Sequence, residues 1–376
     1  MRKNILSLPL IACLLIGSPA SAAEPIGKCL FVSLIQDPPI LASRQAIDDL
    51  IDFARKARIQ ILFVQIYRSN KSWFPSEVGD SAPYEESIKK VGEDPFALLI
   101  RQAHASGIEV HAWLNLLSLS ANKDAKILKK YGPDILTRNL KKKKTLEDYK
   151  IDNQYFLEPG DLRIRKELLT LVEEVLHRYP DLDGIQFDYI RYPDVHPFYG
   201  YTKMNIKRFK EATGQKRIEE NSVIWKDWKR RQVTELVEQL AQKARALRKG
   251  IHVSATGCEP YVRAYQEAFQ DWPSWVNRGV VDSVTVMSYS TDISIFQKDI
   301  EQTKSKVTDF KKTRMAIGAY KMLDTPEIFK RLIGLCEQRG VRAYAILHYG
   351  SLLQNPALGN FLMNGKNKNE NFGGTP

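Results

Sequence analysis

Strand-like and helix-like runs alternate along nearly the whole chain, and this alternation restricts the fold more than any single motif does. Eight β-branched or aromatic runs read as strands, over residues 28–34, 60–67, 109–114, 184–190, 251–257, 283–289, 315–320 and 342–348. Amphipathic segments lie between them, over 44–57, 95–106, 162–178, 225–248, 272–278, 294–310 and 326–339. Such a repeat argues for a parallel sheet with helical crossovers. Eight units, with no Gly-rich phosphate loop after the first strand, predict closure into a single (β/α)8 TIM barrel of the α/β class rather than an open doubly wound sheet. Ser43, Asp94, Asp161, Asp271 and Thr325 are expected helix N-caps, and Gly107 and Gly340 expected helix stops. The long connections, 68–94, 115–160 and 191–223, follow strands 2, 3 and 4. Loops after strands build the mouth of a barrel, so this asymmetry is itself a functional sign.

Residues 1–22 read as an export signal: Arg2 and Lys3, an apolar stretch from Ile5 to Ile16, and Ala20-Ser-Ala22 for cleavage. Lipidation at Cys13 is disfavoured, because apolar residues follow it. The barrel is expected over residues 23–362 and a disordered polar tail over 363–376. Export would place the protein in the periplasm or outside a bacterial cell. Later runs are too short for a transmembrane anchor. Cys29, Cys258 and Cys336 allow at most one bridge and match no metal spacing. The formal net charge of +12 suits an anionic polymer, yet no nucleic-acid module accompanies it. The expected partner is therefore a polymeric glycan, anionic if the basic surplus has a role, with no nucleic acid and with the protein a monomer.

The stretch Asp183-Gly-Ile-Gln-Phe-Asp-Tyr-Ile-Arg-Tyr-Pro193 is the most informative segment. With a period of two, Ile185 and Phe187 face the helices while Gln186 and Asp188 point into the barrel. An inward carboxylate at a strand's end is where a catalytic group would sit, although a salt-bridged plug would look the same. The other strand ends supply Gln65 and Arg68, then Trp113 and Asn115, then Arg191 and Tyr192, and finally Tyr289 as substrate-binding candidates. Amides beside aromatic platforms suit sugars, which offer hydroxyl edges and apolar faces. Glycoside hydrolysis usually needs two carboxyl groups. Asp188 is the first, and Glu259 and Glu158 are candidates for the second, though Glu158 also fits a structural place before its helix. Asp183 has outward parity and is expected to shape a turn. The scattered histidines form no paired ligand motif, so neither a metal nor another cofactor is expected.

Four segments together resemble the glycosyl-hydrolase-like 10 family: Asp94-Pro-Phe-Ala-Leu-Leu-Ile through His111-Ala-Trp-Leu-Asn115; Glu158-Pro-Gly with its helix; Asp183 through Pro193; and Gln270-Asp-Trp-Pro-Ser-Trp through Val286-Met-Ser-Tyr289. The resemblance runs from the first strand to about Leu352. It implies a (β/α)8 barrel, bacterial export and hydrolysis of glycans, peptidoglycan strands stripped of their stem peptides among them. The fourth strand also resembles the D-G-x-D-x-D-x-E motif of chitinase-like barrels, with Asp183, Gly184 and Asp188 in register. Here Gln186 and Ile190 replace its second Asp and its Glu, so that family's protonating acid is missing. Two readings follow: a glycoside hydrolase in which Glu259 or Glu158 partners Asp188, or a non-catalytic glycan-binding barrel of the cell envelope.

Overall fold

The structure is a computed structural model that describes residues 26–364. The export signal, Cys13 and all but the first two residues of the expected polar tail lie outside the described residues. Eight strands, β1 (Gly27–Val32), β2 (Ile61–Arg68), β3 (Glu109–Asn115), β4 (Gly184–Asp188), β5 (His252–Cys258), β6 (Ser283–Met287), β7 (Thr313–Gly318) and β8 (Ala343–Leu347), pair in parallel around a ring. The β1–β2 and β1–β8 ladders close it, so the (β/α)8 TIM barrel expected from the alternation is the fold. The main crossover helices are α1 (Arg44–Ala57), α2 (Pro95–Ala105), α3 (Leu162–Arg178), α4 (Val223–Leu247), α5 (Trp272–Asn277), α6 (Ile293–Lys306) and α7 (Pro326–Gln338).

Local chemistry sets the boundaries. Ser43, Asp94 and Asp161 cap α1, α2 and α3 by accepting backbone N–H groups of the first turn. Thr325 and Asp271 occupy N-cap positions without making that bond, and Asp271 accepts instead from the Tyr261 hydroxyl at 2.9 Å. β4 ends two residues before the expected Ile190 because Tyr189 takes φ 51°, a left-handed turn that breaks the ladder. β6 likewise ends at Met287 and β7 at Gly318, the latter running into a 3-10 turn. Short helices that the sequence pattern did not announce fill the long loops: Ala82–Val91, Lys126–Tyr131 and Lys203–Thr213. A final helix, Pro356–Asn364, reaches two residues into the expected tail.

The alternation sorts side chains as expected. Ile185 and Phe187 join the main apolar core beneath the helices. Inside the ring a separate cluster gathers Cys29, Phe31, Phe63, Trp113 and Ala345, with Phe31 4.9 Å from both Phe63 and Trp113, ring centre to ring centre. Beside it Gln186 Oε1 accepts from Ser254 and Thr285, a hydrogen-bonded plug of the barrel interior. Asp183 shapes its turn as expected, its Oδ2 accepting from Val110 N–H (2.7 Å) and paired with His104 (2.8 Å). The three described cysteines are buried and unbridged.

Candidate active site

A cleft of about 860 Å³ opens at the carboxyl ends of the strands. Its walls include Arg68, Trp113, Asn115, Asp188, Arg191, Glu259 and Tyr289, seven of the candidates read from the sequence. A larger groove of about 1160 Å³ lies on the flank between the Pro75–Glu85 loop and α3. None of the inward strand-end residues lines that groove, so the chemistry belongs to the mouth.

Asp188 sits on the floor of the cleft, 5% exposed. Its Oδ1 accepts from Thr256 Oγ1 (2.6 Å) and Tyr189 N–H (2.7 Å), and its Oδ2 from Trp113 Nε1 (2.9 Å). Indole and backbone N–H can only donate, so this cradle suits an ionised carboxylate acting purely as acceptor. Among the described residues no cation bridges Asp188; Arg191 is engaged instead by Asp194 at 2.6 Å, while its guanidinium stacks 5.0 Å from the Tyr189 ring centre. The salt-bridged plug is thus excluded for Asp188.

Glu259 is the second carboxyl in the cleft. Its Oε2 accepts from Tyr261 N–H at 2.7 Å, while Oε1 is buried without a partner among the described residues. Burial, reinforced by the Asp299 charge, pushes its carboxyl up to about 8, so it stays largely protonated at neutral pH. Asp299 lines the same cleft and accepts from Ser288 Oγ at 2.5 Å. Tyr289 shares this end of the site. Burial, then the charge of Asp188, holds its hydroxyl well above the usual range, leaving it a donor. Asn115 Oδ1 accepts from Gln65 Nε2 at 3.1 Å, which leaves the Asn115 amide N–H groups for a ligand.

Three candidates lie elsewhere. Gln65 has no exposed surface and supports Asn115 from the layer below. Glu158 and Tyr192 are also fully buried and do not line the cleft. Glu158 accepts from the Tyr192 hydroxyl and from Thr137 Oγ1 (2.9 Å), beneath the loops after β3 and β4. Buried Lys229 lies in the same region, donating to Pro197 O at 2.5 Å and resting 3.8 Å from the Phe269 ring centre. Burial pushes Glu158 up to about 7 and Lys229 down to about 7. Among the described residues no group of three or more His, Cys, Asp or Glu side chains is arranged to hold a metal ion.

The chain matches the Glycosyl hydrolase-like 10 description over residues 36–329, which includes every barrel strand but the first and the last. It belongs to the Glycosyl hydrolase-like 10 family. Glycosyl hydrolase DigH of Escherichia coli K12 is 23% identical over 267 residues, which is 65% of this chain and 58% of that protein. Glycosyl hydrolase YngK of Bacillus subtilis is 24% identical over 261 residues, 64% of this chain and 48% of its own length. The chain therefore matches only about half of these longer relatives. Among solved structures, the PgaB (BpsB) glycoside hydrolase domain of Bordetella bronchiseptica superposes with a TM-score of 0.70 at 15% identity, covering 90% of this chain and 98% of that domain. The β-amylase catalytic domain of Paenibacillus polymyxa gives 0.53 at 10% identity, covering 89% and 96%. These likenesses show a shared barrel fold.

Within this Glycosyl hydrolase-like 10 barrel, sequence reasoning missed Thr256, Tyr189 and Asp299. Thr256 was legible, since it shares inward parity with Ser254 on β5. Asp299 left a fainter mark, an acid on the apolar stripe Phe296–Ile300–Thr303 of α6. Nothing in the pattern announces the turn at Tyr189.

Proposed function

We propose that the protein is an exported glycoside hydrolase that cleaves a polymeric bacterial glycan, with peptidoglycan strands the first substrate to test. The observation that carries this reading is one cleft holding two carboxyls in different settings: Asp188, cradled by three donors, and Glu259, whose Oε1 is buried without a partner among the described residues and whose acidity burial weakens. Two carboxyl groups with environments that divide acid from base are what glycosidic cleavage requires. Glu259 would protonate the leaving oxygen through its unpartnered Oε1, and Asp188 would act as nucleophile or stabilise the developing oxocarbenium charge. Trp113, Tyr289, Asn115, Arg68 and Arg191 would hold the sugar, while Glu158, Tyr192 and Gln65 would brace the loops and floor. The export signal read over residues 1–22 supports delivery to the cell envelope, and among the described residues no helix is long and apolar enough to cross a membrane.

The test is release of new reducing ends from a panel of purified glycans that includes peptide-free peptidoglycan strands and chitin oligosaccharides. Cleavage of at least one polymer is expected. Retention of glycan without new reducing ends would favour the rival, a binding barrel.

A further inference from the structure

Five basic side chains line the cleft, Arg68, Arg191, Arg263, Lys298 and Lys321, against four carboxyls, Asp188, Asp194, Glu259 and Asp299. Arg191 and Arg263 both close on Asp194 and are neutralised in part there. Arg68, Lys298 and Lys321 make no ion pair with any described residue. They come from three separate elements: the end of β2, α6, and the turn after β7. On the acid side, Asp188 already has three donors, Asp299 is held by Ser288, and Glu259 carries little charge at neutral pH. The mouth is thus left with surplus positive charge, and low-dielectric walls focus such a field into the cleft. The half-buried Arg68 guanidinium offers a planar fork of donors that matches a carboxylate, and the two exposed lysines add mobile point charges. Solvated lysines on an outer face would not be gathered with an unpaired arginine in the same concavity.

We infer that Arg68, Lys298 and Lys321 form an anion subsite that selects glycans whose sugar units carry a carboxylate. This rests on the reading of the cleft as the glycan site, and it assigns the substrate class to these three side chains. The carboxylate can sit on the ring, as in a uronic acid, or on an ether-linked acid arm. Neutral polymers of the same backbone would lose these contacts and bind more weakly.

Binding is measured by calorimetry on Glu259→Gln, which leaves the charge of the neutral acid unchanged and prevents turnover. Three probes are compared: peptide-free peptidoglycan strands, whose alternate sugars bear a carboxylate arm; chitin oligosaccharides, which share the β-1,4-linked N-acetylglucosamine backbone without it; and oligoglucuronate, which carries the acid on the ring. Tighter binding of one or both acidic probes than of the neutral one is expected, weakening as salt is raised. Arg68→Gln should reduce acidic-probe affinity by about tenfold and neutral-probe affinity by less, while each of Lys298→Gln and Lys321→Gln should reduce acidic-probe affinity by about two- to fivefold with neutral-probe affinity unchanged. Should Arg68→Gln fail to fold, the double lysine variant gives the same readout. Equal affinity for charged and neutral probes, equal losses on both, or no binding of any probe would overturn the subsite. Acidic probes that bind through these residues but are never cut by the wild-type protein would sink the hydrolase and leave the subsite standing.

Discussion

Replacing Glu158 with glutamine separates a buried brace from a catalytic acid. Glu158 is 0% exposed, and burial lifts its carboxyl from 4.5 to about 7 against the opposing hydrogen bonds from Tyr192, Thr137 and Gly160. For an acid raised on folding, the stability gained by binding its proton is complete below the unfolded value and lost as pH rises through the folded one. The window for Glu158 therefore runs from about 4.5 to about 7, and the lift is worth about 3 kcal/mol of folding free energy that is absent at pH 8. Glutamine copies the shape of the protonated acid and keeps an oxygen to accept from Tyr192. Glu158→Gln should match the wild type near pH 5 and exceed it by about 3 kcal/mol near pH 8. Lys229 is held protonated in part by the Glu158 charge and titrates lower in the variant, which takes back part of that gain, so about 3 kcal/mol is its upper bound. Urea unfolding followed by tryptophan fluorescence at the two pH values reads the difference, with glycan cleavage measured in parallel. A pH-independent difference, or a variant less stable at pH 8, would refute the burial argument. A folded variant that no longer cleaves would return Glu158 to the chemistry.

Two further outcomes follow from the cleft. Asp299→Asn removes the charge that helps raise Glu259, so the alkaline limb of the kcat/KM profile, which falls as Glu259 loses its proton near 8, should move to lower pH; an unmoved limb would leave burial as the sole cause. Thr256→Val deletes the 2.6 Å donor to Asp188 while Trp113 and Tyr189 remain. That loss should raise the barrier by about 1–3 kcal/mol, seen as roughly a five- to hundredfold fall in cleavage rate with little change in melting temperature.

The barrel was legible because period-two alternation survives burial: every inward strand residue declares its face by parity, and closure follows from eight repeats. The same parity placed Asp188, Trp113 and Asn115 correctly at the mouth. It did not distinguish layers, however. Gln65 shares the inward face, yet Asn115 from the neighbouring strand covers it. Loop residues carry no period, so Glu158, though part of a motif, could not be assigned to the cleft or to the packing beneath it. Asp299 enters the site from a helix, where the inward rule for strands has no reach, and Tyr192 was drawn into the Glu158 network by the left-handed turn at Tyr189 that ends β4 early.

Release of reducing ends by Asp188→Asn, beside the wild type on whichever glycan the wild type cuts, tests the central assignment most directly. Asparagine keeps the size of the side chain but brings an amide N–H group into a cradle of donors and removes the charge. The expected result is a fall of about 10²–10⁴-fold in kcat with affinity for the glycan retained. Cleavage by this variant at the wild-type rate would contradict the assignment of Asp188 to the reaction.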